Sequence, residues 1–179
     1  MKIFSWLWKT VGPRRVGLVV MCVYAAWLVF FYRYHWVDGI NLLIHEAGHL
    51  IFRPLARVSA GGETLAVLAG PALQLAVPPY LTFRLWRRGE AVPAAVSALW
   101  SAESLMYTAE YLADANRLAL PLIGDHPHDW RLLLDRAGAL ESAEEIGLAL
   151  HLLASAAAVA TVWQAARLER IGESGRPRP

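Results

Sequence analysis

Long apolar runs separated by short polar or proline-containing breaks dominate the chain, a pattern typical of membrane-embedded helices. The first run, residues 16–32, has seventeen residues without a charge, which is enough for an anchor helix. The second run, residues 39–52, has fourteen residues and is short for a full crossing. Three further runs cover residues 64–86, 91–113 and 142–166. The pattern therefore predicts an all-α fold, a polytopic bundle of four to five hydrophobic helices.

The ends of the chain differ from the apolar centre. Residues 1–15 combine four basic side chains with two tryptophans, as in a segment lying on a membrane interface. Residues 16–166 form the predicted membrane-embedded unit, and residues 167–179 a basic tail. Within the third run, Gly70-Pro71 and Pro78-Pro79 predict breaks, which survive in a membrane only where other groups satisfy the freed carbonyls.

Composition supports the membrane assignment and excludes several other classes. Of the 179 residues, 56% are hydrophobic and 18% charged, whereas soluble domains carry about 25% charged residues. The same figures exclude a disordered chain or a coiled coil, and a single cysteine excludes a disulfide scaffold. No basic face with interleaved aromatic residues is present, so we expect lipid and not nucleic acid as a partner.

The positions of the basic residues give a test of topology. Eleven of the seventeen Lys and Arg residues lie in residues 1–15, 84–88 and 167–179. Basic segments stay on the cytoplasmic side, so we expect a protein of the cell membrane with all three, including the N-terminus, in the cytoplasm. An even number of crossings must then separate them, which predicts that segment 39–52 is re-entrant or half-buried. Five full crossings would put one basic segment on the wrong side.

The sequence His-Glu-Ala-Gly-His at residues 45–49 carries the clearest chemistry. Histidines four residues apart project from one helix face, so His45 and His49 can bind one zinc ion. Glu46 lies beside such an ion, where a carboxylate can take a proton from water and pass it to a leaving amine. Asn41, one turn earlier on the same face, is a candidate for orienting a ligand or substrate, or for starting the helix. The alternative is that these groups only hydrogen-bond to one another.

A third zinc ligand must come from elsewhere, because a catalytic zinc has three protein ligands and one open position. Residues 124–130 hold four potential ligands in five positions. Among them, His128 and Asp125 are the leading candidates, and Asp129 suits a carboxylate that orients an imidazole. The alternative interpretation is a polar turn with a tryptophan at the membrane interface.

Acidic residues also recur along one face of the predicted helix 91–113. Glu103, Tyr107, Glu110 and Asp114 follow at four-, three- and four-residue steps. Glu110 or Asp114 is a further candidate for the third ligand or for support of the metal site. Pairing with arginines at 53, 57 or 117 is the alternative.

Three motifs together resemble the site-2 protease family of membrane-embedded zinc metallopeptidases, in particular its compact members. They are H-E-A-G-H at 45–49, A-G-P-A-L-Q at 69–74 and N-R-L-A-L-P-L-I-G-D at 116–125. The resemblance implies that His45, His49 and Asp125 bind zinc and that Glu46 is the general base. This chain departs from the family pattern at Gln74, where Asn is common, and at His126, where Gly usually follows the aspartate.

The leading functional hypothesis is a zinc endopeptidase that hydrolyses transmembrane or membrane-proximal protein substrates. Two alternatives remain at this stage. One is a membrane metal hydrolase of other substrates, such as lipid-linked compounds. The other is a non-catalytic multi-pass protein whose metal or polar cluster is structural.

Overall fold

In a computed structural model of the protein, residues 13–58, 61–120 and 128–174 are described, and they are almost entirely helical. This part of the chain contains no strand, which confirms the all-α prediction. Six α-helices and two short 3₁₀ helices follow in order: α1 Pro13–Phe31, α2 Trp36–Phe52, 3₁₀ Arg53–Arg57, α3 Gly62–Arg87, α4 Ala91–Ala113, α5 Asp129–Arg136, 3₁₀ Leu140–Ser142 and α6 Ala143–Ser174.

Three helical segments of the described chain are long and apolar enough to cross a membrane: Arg14–Phe31, Gly62–Arg87 and Leu140–Glu169. The protein is therefore a plausible membrane protein with three candidate spans, fewer than the four to five hydrophobic helices expected. Helix α4 is long but less apolar. Its inward face carries Ser97, Glu103, Ser104 and Thr108, all buried against neighbouring helices.

Helix α4 lies at the centre of the bundle, between α3 and α6. Small residues allow the close approach to α6, because a Cβ on Gly147 would stand 2.8 Å from the Ala109 carbonyl oxygen. The apolar core continues towards α1, where Leu28 and Met106 are fully buried in one cluster. Helix α4 thus directs polar side chains towards α2 and α3 and small apolar side chains towards α6.

Helix α3 runs without interruption through its three prolines, in contrast to the expected breaks. Proline at position 78 deprives the Gln74 carbonyl of its helical donor. The Ser104 hydroxyl, on α4, lies 3.5 Å from that carbonyl oxygen and donates to it. The Ser97 hydroxyl donates to the Pro78 carbonyl at 3.1 Å. At Gln74, a hydroxyl from the neighbouring helix therefore replaces the missing donor, and the Ser97 hydroxyl adds a further contact between α3 and α4.

Contacts between helices give their relative directions. Helix α4 is antiparallel to α3, since Gln74 contacts Thr108 and Pro78 contacts Ser97. It is also antiparallel to α6, whose Gly147 lies against Ala113 near the end of α4. Helices α3 and α6 therefore run in the same direction.

Helices α1 and α2 both run opposite to that direction. Along α1 and α6, Arg15 pairs with Glu169 and the Val29 carbonyl meets His151. Along α2 and α3, His45 meets Gln74 and His49 meets the Ala66 carbonyl. The chain thus continues from α1 into α2 in one direction after a four-residue link, Tyr32–His35, and does not turn back there as a re-entrant segment would.

Two helical boundaries differ from the sequence expectation. Helix α5 lies between the fourth and fifth apolar runs, where no helix was predicted, and its Leu134 is buried against the ends of α4 and α6. Helix α6 extends to Ser174, beyond the expected end at residue 166, because the first helix-breaking proline comes only at position 177.

Candidate metal centre

Three side chains from two helices converge at the junction of α2, α3 and α5. The Nε2 atoms of His45 and His49, one turn apart on α2, are 3.0 Å from each other. Asp129, the first residue of α5, places its Oδ2 atom 2.8 Å from His45 Nε2 and 3.2 Å from His49 Nε2. Each of the three residues thus directs one ligand atom to the same point.

Two glycines allow α2 and α3 to approach closely enough for this geometry. A Cβ on Gly48 would stand 2.7 Å from the Ala69 carbonyl carbon. A Cβ on Gly70 would stand 2.9 Å from His45 Nε2 and would overlap the His49 ring. At Gly70, helix α3 therefore presents only backbone atoms, and both imidazoles pack directly against them.

The second nitrogen of each imidazole, Nδ1, forms a hydrogen bond with a residue of α3. Nδ1 of His45 lies 3.1 Å from Oε1 of Gln74, and Nδ1 of His49 lies 2.8 Å from the Ala66 carbonyl oxygen. Both partners are acceptors, so both Nδ1 atoms donate. In the neutral imidazoles, the two Nε2 atoms then carry lone pairs.

The donor set at the centre fits a divalent metal ion such as zinc. With both Nδ1 atoms donating to α3, the Nε2 lone pairs of the neutral imidazoles face each other and the Asp129 carboxylate oxygen, an arrangement that a cation stabilises, either a metal ion or a proton on one imidazole. Tetrahedral zinc with bonds of about 2.0–2.1 Å separates its ligand atoms by roughly 3.3 Å. The observed separations of 2.8–3.2 Å are within about half an ångström of that value.

The carboxylate of Asp129 is ionised in this environment. Burial alone would raise its pKa, but hydrogen bonds from His45 and His49 outweigh burial and lower the pKa to about 2. A full negative charge therefore stands beside the two imidazoles at any physiological pH.

The centre is open on one side. The His45 side chain is 5% exposed, whereas that of His49 is 25% exposed. Glu46 is exposed on the same helix, and its charge acts on His49 and on Tyr111. Among the described residues, no hydrogen bond or ion pair holds this carboxylate, which lies on the same helix as the two imidazoles.

His128, the nitrogen candidate for a third ligand, points elsewhere. Its ring stacks on Tyr111 with centroids 4.0 Å apart, and its Nδ1 accepts from the Arg131 backbone N–H as the N-cap of α5. Its Nε2 lies 4.0 Å from Oδ2 of Asp114. Because His128 caps the helix, the next residue, Asp129, is the one turned towards α2. Asp125, the other candidate, lies outside the described residues.

The acidic face of α4 does not reach the centre. Asp114 is buried and accepts the backbone N–H groups of Ala119 and Leu120, which fixes the turn after α4. Glu110 is exposed. Asn41 is buried, donates to both carboxylate oxygens of Glu103, and accepts from Trp100. These residues therefore tie α2 to α4 or shape the adjoining turn.

A second group with metal-ligand chemistry, His35, Asp38 and Glu103, differs from the first in its donors. Tyr32 and the His35 backbone N–H donate to Asp38, and His35 Nδ1 lies 2.7 Å from Asp38 Oδ2. Asn41 donates to Glu103. Each carboxyl group of this second group receives hydrogens from neighbouring protein donors, so it has less need of a cation than the first group.

Two residues at the centre were not singled out from the sequence. Tyr111 receives the Asp129 backbone N–H at its hydroxyl, 3.3 Å away, and its ring edge faces His45. It follows Tyr107 by four residues, so the helical spacing already contained this signal. Gln74 was noted only as a departure from a family motif, although it is an uncharged polar residue within an apolar run.

Comparison with protein-family models, with curated proteins and with solved structures finds no match to this chain. The resemblance to site-2 proteases remains a prediction from the sequence motifs.

Proposed function

We propose that this protein is an intramembrane zinc endopeptidase. The observation that carries the proposal is the convergence of His45 Nε2, His49 Nε2 and Asp129 Oδ2 within 3.2 Å of one another. In this proposal, His45, His49 and Asp129 hold one zinc ion. Asp129 takes the place of the two ligands expected first, Asp125 and His128.

The donor set suits catalysis as well as metal binding. Two imidazoles and one carboxylate leave a fourth position of a tetrahedral ion for a small molecule. When bound, zinc polarises a substrate carbonyl and lowers the pKa of water. The accessible side of the centre, next to His49 and Glu46, is where water and a peptide would enter.

Glu46 acts as general base and then as general acid. Its exposed carboxylate accepts a proton from the attacking water as the oxygen bonds to the scissile carbonyl carbon. The same carboxyl group then gives that proton to the nitrogen of the departing amine, so the carboxylate is restored. General acid–base catalysis of this kind contributes typically about 10²–10⁴ to the rate.

The helix directions support a four-crossing arrangement. Helices α1 and α2, which run in the same direction, form one discontinuous crossing, and α3, α4 and α6 form three more. The basic segments at residues 1–15, 84–88 and 167–179 then all lie on the cytoplasmic side of the cell membrane. Discontinuous helices are a common way to place polar sites inside a membrane.

The same arrangement supports a proposal for the depth of the centre and for the class of substrate. Asp129 begins a helix that follows the end of α4, and His49 lies against Ala66, one turn from the start of α3. Both positions are at the end of the bundle opposite the basic segments. We therefore propose membrane-proximal or single-span protein substrates cleaved in the non-cytoplasmic half of the bilayer.

The test is cleavage of single-span peptides by the purified protein in liposomes. We expect cleavage that stops with a zinc chelator, returns with zinc, and falls by at least about 10²-fold in Glu46→Gln. The control is Glu145→Gln, which removes an exposed acid from the first turn of α6 and should retain full activity. Cleavage that survives Glu46→Gln would contradict the proposed mechanism.

Two other outcomes would identify the alternative functions. Hydrolysis of lipid-linked substrates with no cleavage of any peptide would indicate a different membrane hydrolase. Tight zinc binding without turnover, in both the wild-type protein and Glu46→Gln, would indicate a structural metal site.

A further inference from the structure

Gln74 is almost completely buried at the centre of α3, between the metal-binding helix α2 and the central helix α4. On the α2 side, its Oε1 lies 3.1 Å from His45 Nδ1. On the α4 side, its Nε2 lies 3.0 Å from Thr108 Oγ1 and 3.3 Å from the Ser104 carbonyl oxygen. One amide group therefore joins α4 to a metal-binding imidazole.

The orientation of this amide is dictated by α4. The Ser104 carbonyl oxygen can only accept, so the group that faces it must be the NH₂ of Gln74. The Thr108 hydroxyl already donates its hydrogen to the same carbonyl oxygen, at 3.0 Å, and so it also accepts from Gln74. The amide oxygen of Gln74 is left to face His45, where it can only accept.

We propose that Gln74 is a positioning residue for the metal centre, a role that rests on the proposed function. By accepting a hydrogen bond from His45 Nδ1, it keeps this imidazole protonated on Nδ1, with the Nε2 lone pair directed at the metal. Without it, a neutral His45 is free to place its hydrogen on Nε2, which blocks coordination. An acceptor on the second imidazole nitrogen also raises the basicity of the ligand.

The two imidazoles differ in how they are held. His49 donates to the Ala66 backbone carbonyl, which no substitution of a side chain removes. His45 depends on a side chain. A substitution of Gln74 should therefore affect His45 alone, and His49 serves as an internal reference.

The experiment uses three variants of the full chain. Gln74→Met removes the acceptor while keeping a long unbranched side chain. Gln74→Glu keeps an acceptor towards His45. Thr108→Val removes one α4 contact of Gln74 but leaves its carbonyl oxygen in place. Zinc affinity is measured by competition with a chromophoric chelator, and the tautomer of each imidazole by ¹⁵N NMR of the metal-free protein.

We expect Gln74→Met to weaken zinc binding by about 10–100-fold, the usual effect of removing such a partner. Its His45 ¹⁵N shifts should move towards the Nε2-protonated form while those of His49 stay unchanged. Thr108→Val should remain within a few-fold of wild type, and Gln74→Glu should bind zinc more tightly than Gln74→Met, because it keeps the acceptor towards His45 although it loses the donor to the Ser104 carbonyl. The proposal is overturned if Gln74→Met binds zinc like wild type, or if it and Thr108→Val lose affinity equally, since an equal loss indicates disturbed packing. Absence of zinc binding by the wild-type protein would contradict the proposed function itself.

Discussion

His45 and His49 face each other through Nε2 atoms 3.0 Å apart, while their Nδ1 atoms donate to two separate acceptors on α3. Two nitrogen lone pairs at this distance repel each other unless a positive charge lies between them. The carboxylate of Asp129, on α5, contacts His45 Nε2 at the same place. The geometry of one helix turn and its neighbour thus brings together three groups that suit a cation.

Replacing Gly70 by alanine tests the close packing of the two imidazoles against α3. The added Cβ would stand 2.9 Å from His45 Nε2 and overlap the ring of His49, and both belong to a helix packed closely on α3. We expect zinc affinity to fall at least tenfold while the protein remains helical. The measurement is chelator competition on purified protein. Gly39→Ala, whose Cβ would have only Tyr34 Oη at 3.9 Å, is the control and should bind zinc normally.

Replacing Gly48 by alanine tests helix packing. A Cβ there would press on the backbone of α3 at Ala69, which cannot move away as a flexible side chain would. We expect the free energy of unfolding to fall by about 1–3 kcal/mol, the usual cost of overpacking. Unfolding in mixed SDS micelles, followed by circular dichroism, measures this change. Equal stability of Gly48→Ala and wild type would show that α2 and α3 are less closely packed than described.

The pH dependence of zinc binding follows from the charge of Asp129. Its pKa is lowered to about 2 by hydrogen bonds that outweigh the effect of burial, whereas an unfolded aspartate has a pKa near 3.9. A group of this kind stabilises the folded state above about pH 4, and the contribution is lost as the pH falls towards 2. Between pH 7 and 4, only the imidazoles take up protons when zinc leaves.

We therefore expect between one and two protons to be bound for each zinc released in this range, because two imidazoles 3.0 Å apart repel each other when both are charged. Equilibrium dialysis at a series of pH values gives the number from the slope of affinity against pH. A slope near zero, or zinc retained down to pH 3, would exclude a site with histidine ligands.

Membrane topology provides a prediction independent of the metal. With four crossings, the α3–α4 turn and the end of α6 lie on one side, and the segment between α5 and α6 lies on the other. In a Cys22→Ser background, Glu90→Cys and Ser174→Cys should react with an impermeant maleimide from the cytoplasmic side only. Glu141→Cys should react only from the opposite side. Labelling of Glu141→Cys and Glu90→Cys from the same side would show that α4 does not cross.

The apolar runs were sufficient to predict most of the helices. The run at residues 91–113 coincides with α4, because alanine- and leucine-rich sequence between a glycine turn and a polar segment leaves little choice of boundary. The direction of α2 was not predictable, since a hydrophobic run does not show in which direction its helix runs through the bundle. It depends on the link between α1 and α2, where Asp38 accepts from Tyr32 and from the His35 backbone.

The metal centre was predictable only in part. Helical spacing brought His45 and His49 to one face, as the motif requires. The third group depends on where α5 begins. Because His128 is the N-cap and stacks on Tyr111, the carboxylate of Asp129 faces the imidazoles. The four candidate ligands at residues 125–129 did not show from the sequence which of them would face the histidines.

The zinc content of the purified protein and of three variants is the most direct test of the account. Asp129→Asn removes the proposed third ligand, Asp125→Asn removes the ligand implied by the family resemblance, and His128→Asn removes an imidazole while keeping a good helix N-cap. We expect one zinc ion per chain in the wild-type protein, in Asp125→Asn and in His128→Asn, and little or none in Asp129→Asn. Full zinc content in Asp129→Asn together with its loss in Asp125→Asn or His128→Asn would contradict the assignment, and a wild-type protein that binds no zinc would contradict the metal centre altogether.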